Sequence, residues 1–292
     1  MKLGRKLLMT AKGISVWWGI YLILGCCIGF GLKTVKDLFM TAGAGFEIKL
    51  YIPIMGAGSL VLAVITYAAA AVLKAAPFRK MKRKLWKIVR TEGVSDNYIS
   101  ELFSNARGDM KNYLTIEAAG AYTVRGETER AASVLEKIDL VSVLDVAQST
   151  GDFRTAAYYY CVKMIMCIQN KDTAGATRAY DEGIYYLEAF ETDANVLLVL
   201  AVYQLEAGLF HSALDTIKKV KIKKLPPYLR QYGKSLSALI TATSMLNTGR
   251  MDEAGLYAAM ACEAPGSDFI KEWAENILNQ TRTEKKAISE TN

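Results

Sequence analysis

The chain has 292 residues, 52% of them hydrophobic, and a formal net charge of +7. Residues 1–92 hold 15 Lys and Arg against three acids, whereas residues 93–292 hold 21 basic and 26 acidic side chains. Because a nucleic-acid-binding domain should itself carry a basic face, this split argues against a nucleic-acid partner. The length predicts a membrane part followed by a domain of roughly 200 residues.

The first predicted membrane helix follows a basic N-terminus, residues 1–13, which we expect to be cytoplasmic. Residues 14–32 form a run of 19 residues without a charge. At 1.5 Å per residue, such a run can cross a hydrocarbon core of about 30 Å. Two alternatives stay open: a cleaved signal peptide, and lipidation at Cys26, since Ile23-Leu24-Gly25-Cys26 resembles the lipobox of bacterial lipoproteins.

A second predicted span, residues 50–73, is a run of 24 uncharged residues. A short external loop, residues 33–49, connects the two spans. Directly after the second span, residues 74–90 carry eight Lys and Arg and no acid. Positive flanks resist translocation, so the pattern predicts a membrane hairpin with both ends inside, in a bacterial cytoplasmic membrane. The absence of charge within either run is typical of an anchor rather than a transporter.

Residues 74–92 are predicted to form a basic amphipathic juxtamembrane helix that begins at Pro77 and lies in the lipid interface. Its apolar stripe consists of Phe78, Met81, Leu85, Ile88 and Val89. Its predicted contacts with anionic lipid are Arg79, Lys80, Lys82, Arg83, Lys84, Lys87 and Arg90. The alternative is that these cations are only the flank that any inward-facing membrane helix carries.

One spacing recurs in the remaining chain, which reads as helical from Ser95 onward. Four sets of four residues share this spacing. In each set the second residue is a glycine seven positions after the first, the third residue lies five positions after the glycine, and the fourth lies four positions after the third. The sets are Ala119-Gly126-Ala131-Leu135, Leu144-Gly151-Ala156-Tyr160, Ala201-Gly208-Ala213-Ile217 and Ala242-Gly249-Ala254-Ala258. Small residues let paired helices approach closely, and glycine supplies the positive φ of a helix end.

This spacing resembles the tetratricopeptide repeat, a helix-turn-helix unit of about 34 residues that stacks into a superhelix. The best matches are NYLTIEAAGAYTVRGETERAASVLEKI and NVLLVLAVYQLEAGLFHSALDTIKKV. The resemblance implies an all-α chain, with a transmembrane hairpin followed by a degenerate α-solenoid over residues 93–280 and a polar tail over residues 281–292. Because the turn glycines lie 25, 57 and 41 residues apart, irregular packing is expected within residues 139–190.

The resemblance also implies a groove along the first helix of each unit. Carried onto the two C-terminal matches, its lining is Asn195, Leu198, Val202, Leu205, Leu236, Leu239, Thr243 and Leu246. These side chains are mostly apolar and would suit an amphipathic helix or an apolar peptide. The alternative is that they are buried against neighbouring helices.

A cluster of lysines ends one predicted helix before Pro226: Lys218, Lys219, Lys221, Lys223 and Lys224. Cations at a helix C-terminus complement the helix dipole, and we favour this interpretation over a second lipid contact.

Residues that could carry chemistry are sparse. His211 is the only histidine, and no second ligand stands at zinc or Ser-His-Asp spacing. We therefore expect no enzyme, cofactor, metal or small-molecule substrate. The sequence predicts a membrane-anchored scaffold that binds protein partners through its repeats and lipids, anionic ones above all, through the basic segment. The alternative is a membrane-acting protein, in which the spans and basic helix bind or remodel lipid or assemble a membrane complex, and the repeats regulate it.

Overall fold

The computed structural model describes residues 2–39, 48–263 and 267–291, and the elements there are helices. The chain divides into two compact units, residues 1–82 and 83–292. The α-helices are α1 (Lys2–Phe39), α2 (Ile48–Glu92), α3 (Asp96–Asn105), α4 (Lys111–Val124), α5 (Thr128–Leu135), α6 (Leu140–Thr150), α7 (Arg154–Gln169), α8 (Thr173–Glu188), α9 (Ala194–Glu206), α10 (Phe210–Lys219), α11 (Leu229–Asn247), α12 (Met251–Glu263) and α13 (Asp268–Thr291). Short 3-10 turns lie at Gly108–Met110 and Ile222–Lys224.

Among the residues that the structure describes, two helical segments are long and apolar enough to cross a membrane, Thr10–Ile28 and Gly56–Glu92. In the most apolar stretch of each segment, the protein buries 0% of the residues of Thr10–Ile28 and 11% of the residues of Gly56–Glu92. They therefore differ from core helices, which a soluble domain would bury. The predicted spans overlap these segments, but helix continues to Phe39 in α1 and resumes at Ile48 in α2. Both ends of the predicted loop 33–49 are thus helical, and its centre lies outside the described residues.

Polar side chains join α1 and α2 within the N-terminal unit. The indole Nε1 of Trp18 donates a hydrogen bond to Ser59 Oγ at 3.1 Å. The hydroxyls of Tyr21 and Thr66 lie 2.8 Å apart, at hydrogen-bond distance. Ser59 is buried, with 7% of its surface exposed. These contacts tie the two long apolar helices to one another.

The predicted helix start at Pro77 is wrong, because α2 runs without interruption from Ile48 to Glu92. Proline lacks an N–H, so the helix loses one hydrogen bond there, while the bonds on either side can continue. The basic segment is therefore the C-terminal part of the second apolar helix rather than a separate helix. Its residues from Arg83 onward belong to the second compact unit.

The second unit is built from pairs of consecutive helices that pack on each other: α4 with α5, α7 with α8, α9 with α10, and α11 with α12. Tight turns with glycine at positive φ join three of these pairs, at Gly126 (78°), Gly208 (74°) and Gly249 (74°). The α7–α8 turn instead has Lys171 at φ 58°. Gly151, at φ 70°, ends α6, which packs on α7.

The first helices of the pairs form the centre of this unit. Helix α7 contacts both α4 and α9, and α11 contacts α4 and α9. The eight alanines of the recurring spacing are all 0% exposed: Ala119, Ala131, Ala156, Ala201, Ala213, Ala242, Ala254 and Ala258. Helix α13 packs on α11 and α12 and continues to Thr291, so the predicted polar tail is helical up to that residue.

Candidate partner groove and basic surface

The side chains that the resemblance assigns to a partner groove lie in the core of the second unit. Seven of the eight are buried, each with 7% or less of its surface exposed: Asn195, Leu198, Val202, Leu205, Leu236, Leu239 and Thr243. Leu246 is half-buried. This burial favours the alternative interpretation, in which the leucines pack against neighbouring helices instead of contacting a partner.

The reason for this burial is the way in which the central helices converge. Helices α4, α7, α9 and α11 together line a cavity of about 20 Å³, which is room for about one water molecule. Tyr228, at the start of α11, closes onto α4, where a Cβ on Gly120 would lie 2.6 Å from the tyrosine hydroxyl. Glycine at position 120 therefore permits a close approach of α11 to α4.

Buried tyrosines surround one carboxylate beside this cavity. The Tyr113 hydroxyl donates a 2.7 Å hydrogen bond to Glu117 Oε1, and Glu117 is only 6% exposed. The Tyr98 and Tyr228 rings lie 6.2 Å apart. Among the described residues, the buried Tyr98 hydroxyl has no hydrogen-bond partner. On the neighbouring helix, the Tyr158 hydroxyl donates to Asp193 Oδ2 at 3.2 Å.

The environment of these tyrosines favours their neutral form. Burial, followed by the negative charge of Glu117, raises the pKa of Tyr98, Tyr113 and Tyr228 above the ordinary value. Burial and the charge of Asp193 do the same to the pKa of Tyr158. Burial also raises the pKa of Tyr232 to about 12. Sequence reasoning missed this cluster, and the available signal was the four-residue spacing that puts Tyr113 and Glu117 on one helix face.

The basic segment of α2 divides into exposed cations and a buried apolar side. The predicted lipid contacts are all exposed: Arg79, Lys80, Lys82, Arg83, Lys84, Lys87 and Arg90. In the second unit, however, Leu85 and Ile88 are buried, with exposures of 3% and 7%. The predicted insertion of the apolar stripe into lipid is therefore wrong at these two positions, because they pack inside the protein.

Side chains that could bind a metal ion are not gathered in the described part of the chain. Within it, no three His, Cys, Asp or Glu side chains are placed to hold a metal ion. His211 is exposed at the start of α10, and Cys161 is buried in α7. Burial raises the pKa of the Cys161 thiol, which lowers its reactivity.

Comparisons with known proteins found no match: the chain matches no protein-family model, no curated protein and no solved structure. What these observations define is a helical protein with two long apolar helices and a compact unit of paired helices. The likeness to tetratricopeptide repeats rests on the spacing of small residues and turn glycines alone.

Proposed function

We propose that the chain is a membrane-anchored protein-protein interaction module. The two apolar helices form the anchor, and the helical-repeat unit lies at the cytoplasmic face of a bacterial membrane, where it binds a protein partner. The observation that carries the anchor is the exposed apolar surface of α1 and α2. In water this surface would be costly, and a hydrocarbon core relieves that cost.

The arrangement of the repeat unit supports a binding role. Its paired helices are rigid elements joined by tight turns, and such stacks offer long surfaces to partners. Because the central leucines are buried, we place the partner contacts on exposed apolar side chains of the outer helices. The most exposed are Val141 (70%), Tyr185 (62%), Leu256 (60%), Val146 (54%) and Met260 (50%).

Site-specific photo-crosslinking in intact membranes tests this proposal. A photoreactive residue is placed in the full chain at Val141, Tyr185 or Leu256, and at the exposed polar position Thr177 as a matched control. We expect a discrete protein adduct from at least one apolar position and none from Thr177. Failure of all three apolar positions, with the chain present in the membrane, would contradict an interaction module.

A second candidate function is favoured by the exposed cations of α2, whose number exceeds that needed to fix topology. In this alternative, the chain acts on the membrane itself and the repeats regulate that action. Reconstituting the full chain into dye-loaded anionic vesicles separates the two functions. Leakage or fusion of the vesicles would favour the membrane-acting role, and intact vesicles would leave the interaction module as the better account.

A further inference from the structure

Two lysine- and arginine-rich segments that lie far apart in the sequence meet in the second unit. One is the end of α2, from Arg83 to Arg90, and the other is the loop between α10 and α11. The residue that joins them is Arg230. Its guanidinium carbon lies 4.3 Å from the centre of the Trp86 ring in α2.

The same guanidinium holds the lysine-rich loop in place. Arg230 Nη2 donates a 3.0 Å hydrogen bond to the carbonyl of Lys223, and Nε donates a 3.1 Å bond to the carbonyl of Leu225. Leu225 is buried, with 1% of its surface exposed, and so fixes the end of the loop. A planar guanidinium can lie flat on a ring while its fixed N–H groups donate to two carbonyls, and the ammonium of lysine lacks this planar geometry.

Within the described part of the chain, most cations on these two segments have no acidic partner within ion-pair distance. Lys84 is paired with Glu101 at 2.6 Å, and Lys218 lies 3.5 Å from Asp215. Among the described residues, the other cations make no ion pair within 4.0 Å, and all are exposed: Arg83, Lys87, Arg90, Lys219, Lys221, Lys223 and Lys224.

The helix dipole explains only part of this charge. Helix α10 ends at Lys219, so Lys218 and Lys219 lie in its last turn, where cations stabilise the helix. Lys221, Lys223 and Lys224 lie beyond that end. The dipole effect falls off within the last turn, so it does not account for these three lysines. Only two of the five lysines therefore lie where the helix-dipole interpretation can apply.

We propose that the end of α2 and the loop of residues 219–224 form one basic surface that binds the anionic headgroups of membrane lipids. The inference rests on the proposed membrane anchoring, because Arg83 comes only ten positions in the sequence after Leu73, the last residue of the uncharged run. Clusters of cations directly beyond a membrane helix suit an anionic leaflet, whose potential acts over about a Debye length.

Lysine footprinting of the full chain in lipid nanodiscs tests the surface directly. The chain is reconstituted into phosphatidylcholine discs with or without phosphatidylglycerol and treated with an amine-acetylating reagent, and mass spectrometry measures each lysine separately. We expect the acetylation rates of Lys87, Lys221, Lys223 and Lys224 to fall at least threefold in the anionic discs. High salt should restore them, and the exposed Lys137 should react equally in both discs.

Arg230→Lys tests the joint between the two segments without changing charge. This variant should restore the reactivity of the loop lysines and leave Lys87 protected. The exposed Arg178→Lys is the matched control and should behave as the unchanged chain. Circular dichroism of both variants checks that the helical content is retained. The comparison of the two disc compositions uses the unchanged chain, so it does not depend on the folding of any variant.

The outcomes separate this inference from the proposed function. Selective protection of both segments supports the joint surface. Protection of Lys87 alone, or of no lysine, would contradict the joint basic surface but would leave the proposed membrane anchor unaffected. Extraction of the chain from membranes by alkaline carbonate would overturn the anchor and the surface together.

Discussion

At the scale of single residues, the second unit combines close packing with a buried polar cluster. Glu117 is held in the core by the Tyr113 hydroxyl, whereas Tyr98 lies nearby with a hydroxyl that finds no partner in the described part of the chain. Removing a buried hydroxyl that has no partner should cost little, but removing the partner of a buried carboxylate should cost more. The same substitution, Tyr→Phe, should therefore change the free energy of unfolding differently at positions 113 and 98.

Tyr113→Phe should lower the free energy of unfolding by about 1–3 kcal/mol, because Glu117 loses a charge-assisted hydrogen bond inside the protein. Tyr98→Phe is the matched control and should be neutral or slightly stabilising. Denaturant unfolding of the full chain in detergent, followed by circular dichroism, measures both values. Equal losses of stability would contradict the hydrogen-bond pattern described for the cluster.

The raised pKa values of the buried tyrosines predict a loss of stability in alkali. Since the folded-state pKa exceeds the unfolded one, the contribution to stability is complete below about pH 10 and is lost as pH rises above it. Tyrosinate absorbance should therefore appear in two phases, the later one coinciding with loss of helical circular dichroism. Tyr98→Phe should reduce the later phase, and a single non-cooperative phase would argue against a buried cluster.

At the scale of elements, sequence spacing located the glycine turns within three helix pairs and missed the α7–α8 turn, which has no glycine. Gly126, Gly208 and Gly249 each adopt positive φ between paired helices. The α7–α8 turn uses Lys171 in the same conformation. A pattern based on glycine could not detect this turn, so the segment 139–190 read as irregular although it contains a regular pair.

The end of α2 illustrates a second limit of sequence reasoning. An apolar stripe predicts that a helix face is buried, but it does not distinguish lipid from protein as the partner. Leu85 and Ile88 have the same spacing in either case. Hydrophobic periodicity reports that these side chains are covered, but not what covers them.

Leu85→Ala should therefore destabilise the second unit by about 2–5 kcal/mol, as expected when a large buried side chain is truncated. The exposed neighbour Lys87→Ala is the control, and its effect should stay within about 0.5 kcal/mol. Denaturant unfolding in detergent micelles provides the comparison. If Leu85 instead inserted into lipid, its truncation would leave the unfolding midpoint of the second unit unchanged.

At the scale of the whole molecule, the sequence predicted an all-α chain with two long apolar helices at its N-terminal end, and the structure has both. The accessibility of the groove could not be predicted. The repeat resemblance supplied positions for the groove, but the approach of α11 to α4 depends on a contact between Tyr228 and Gly120. Those residues are separated by more than a hundred positions and carry no common pattern.

Membrane anchoring with the repeat unit on the cytoplasmic side is the central proposal, and its most direct test is a topology measurement on the full chain. A tandem alkaline phosphatase–β-galactosidase reporter is fused after Asn292 and expressed in bacteria. The reporter should show β-galactosidase activity in the membrane fraction, because both ends of the hairpin are expected inside. Alkaline phosphatase activity would place the C-terminus outside and contradict the account.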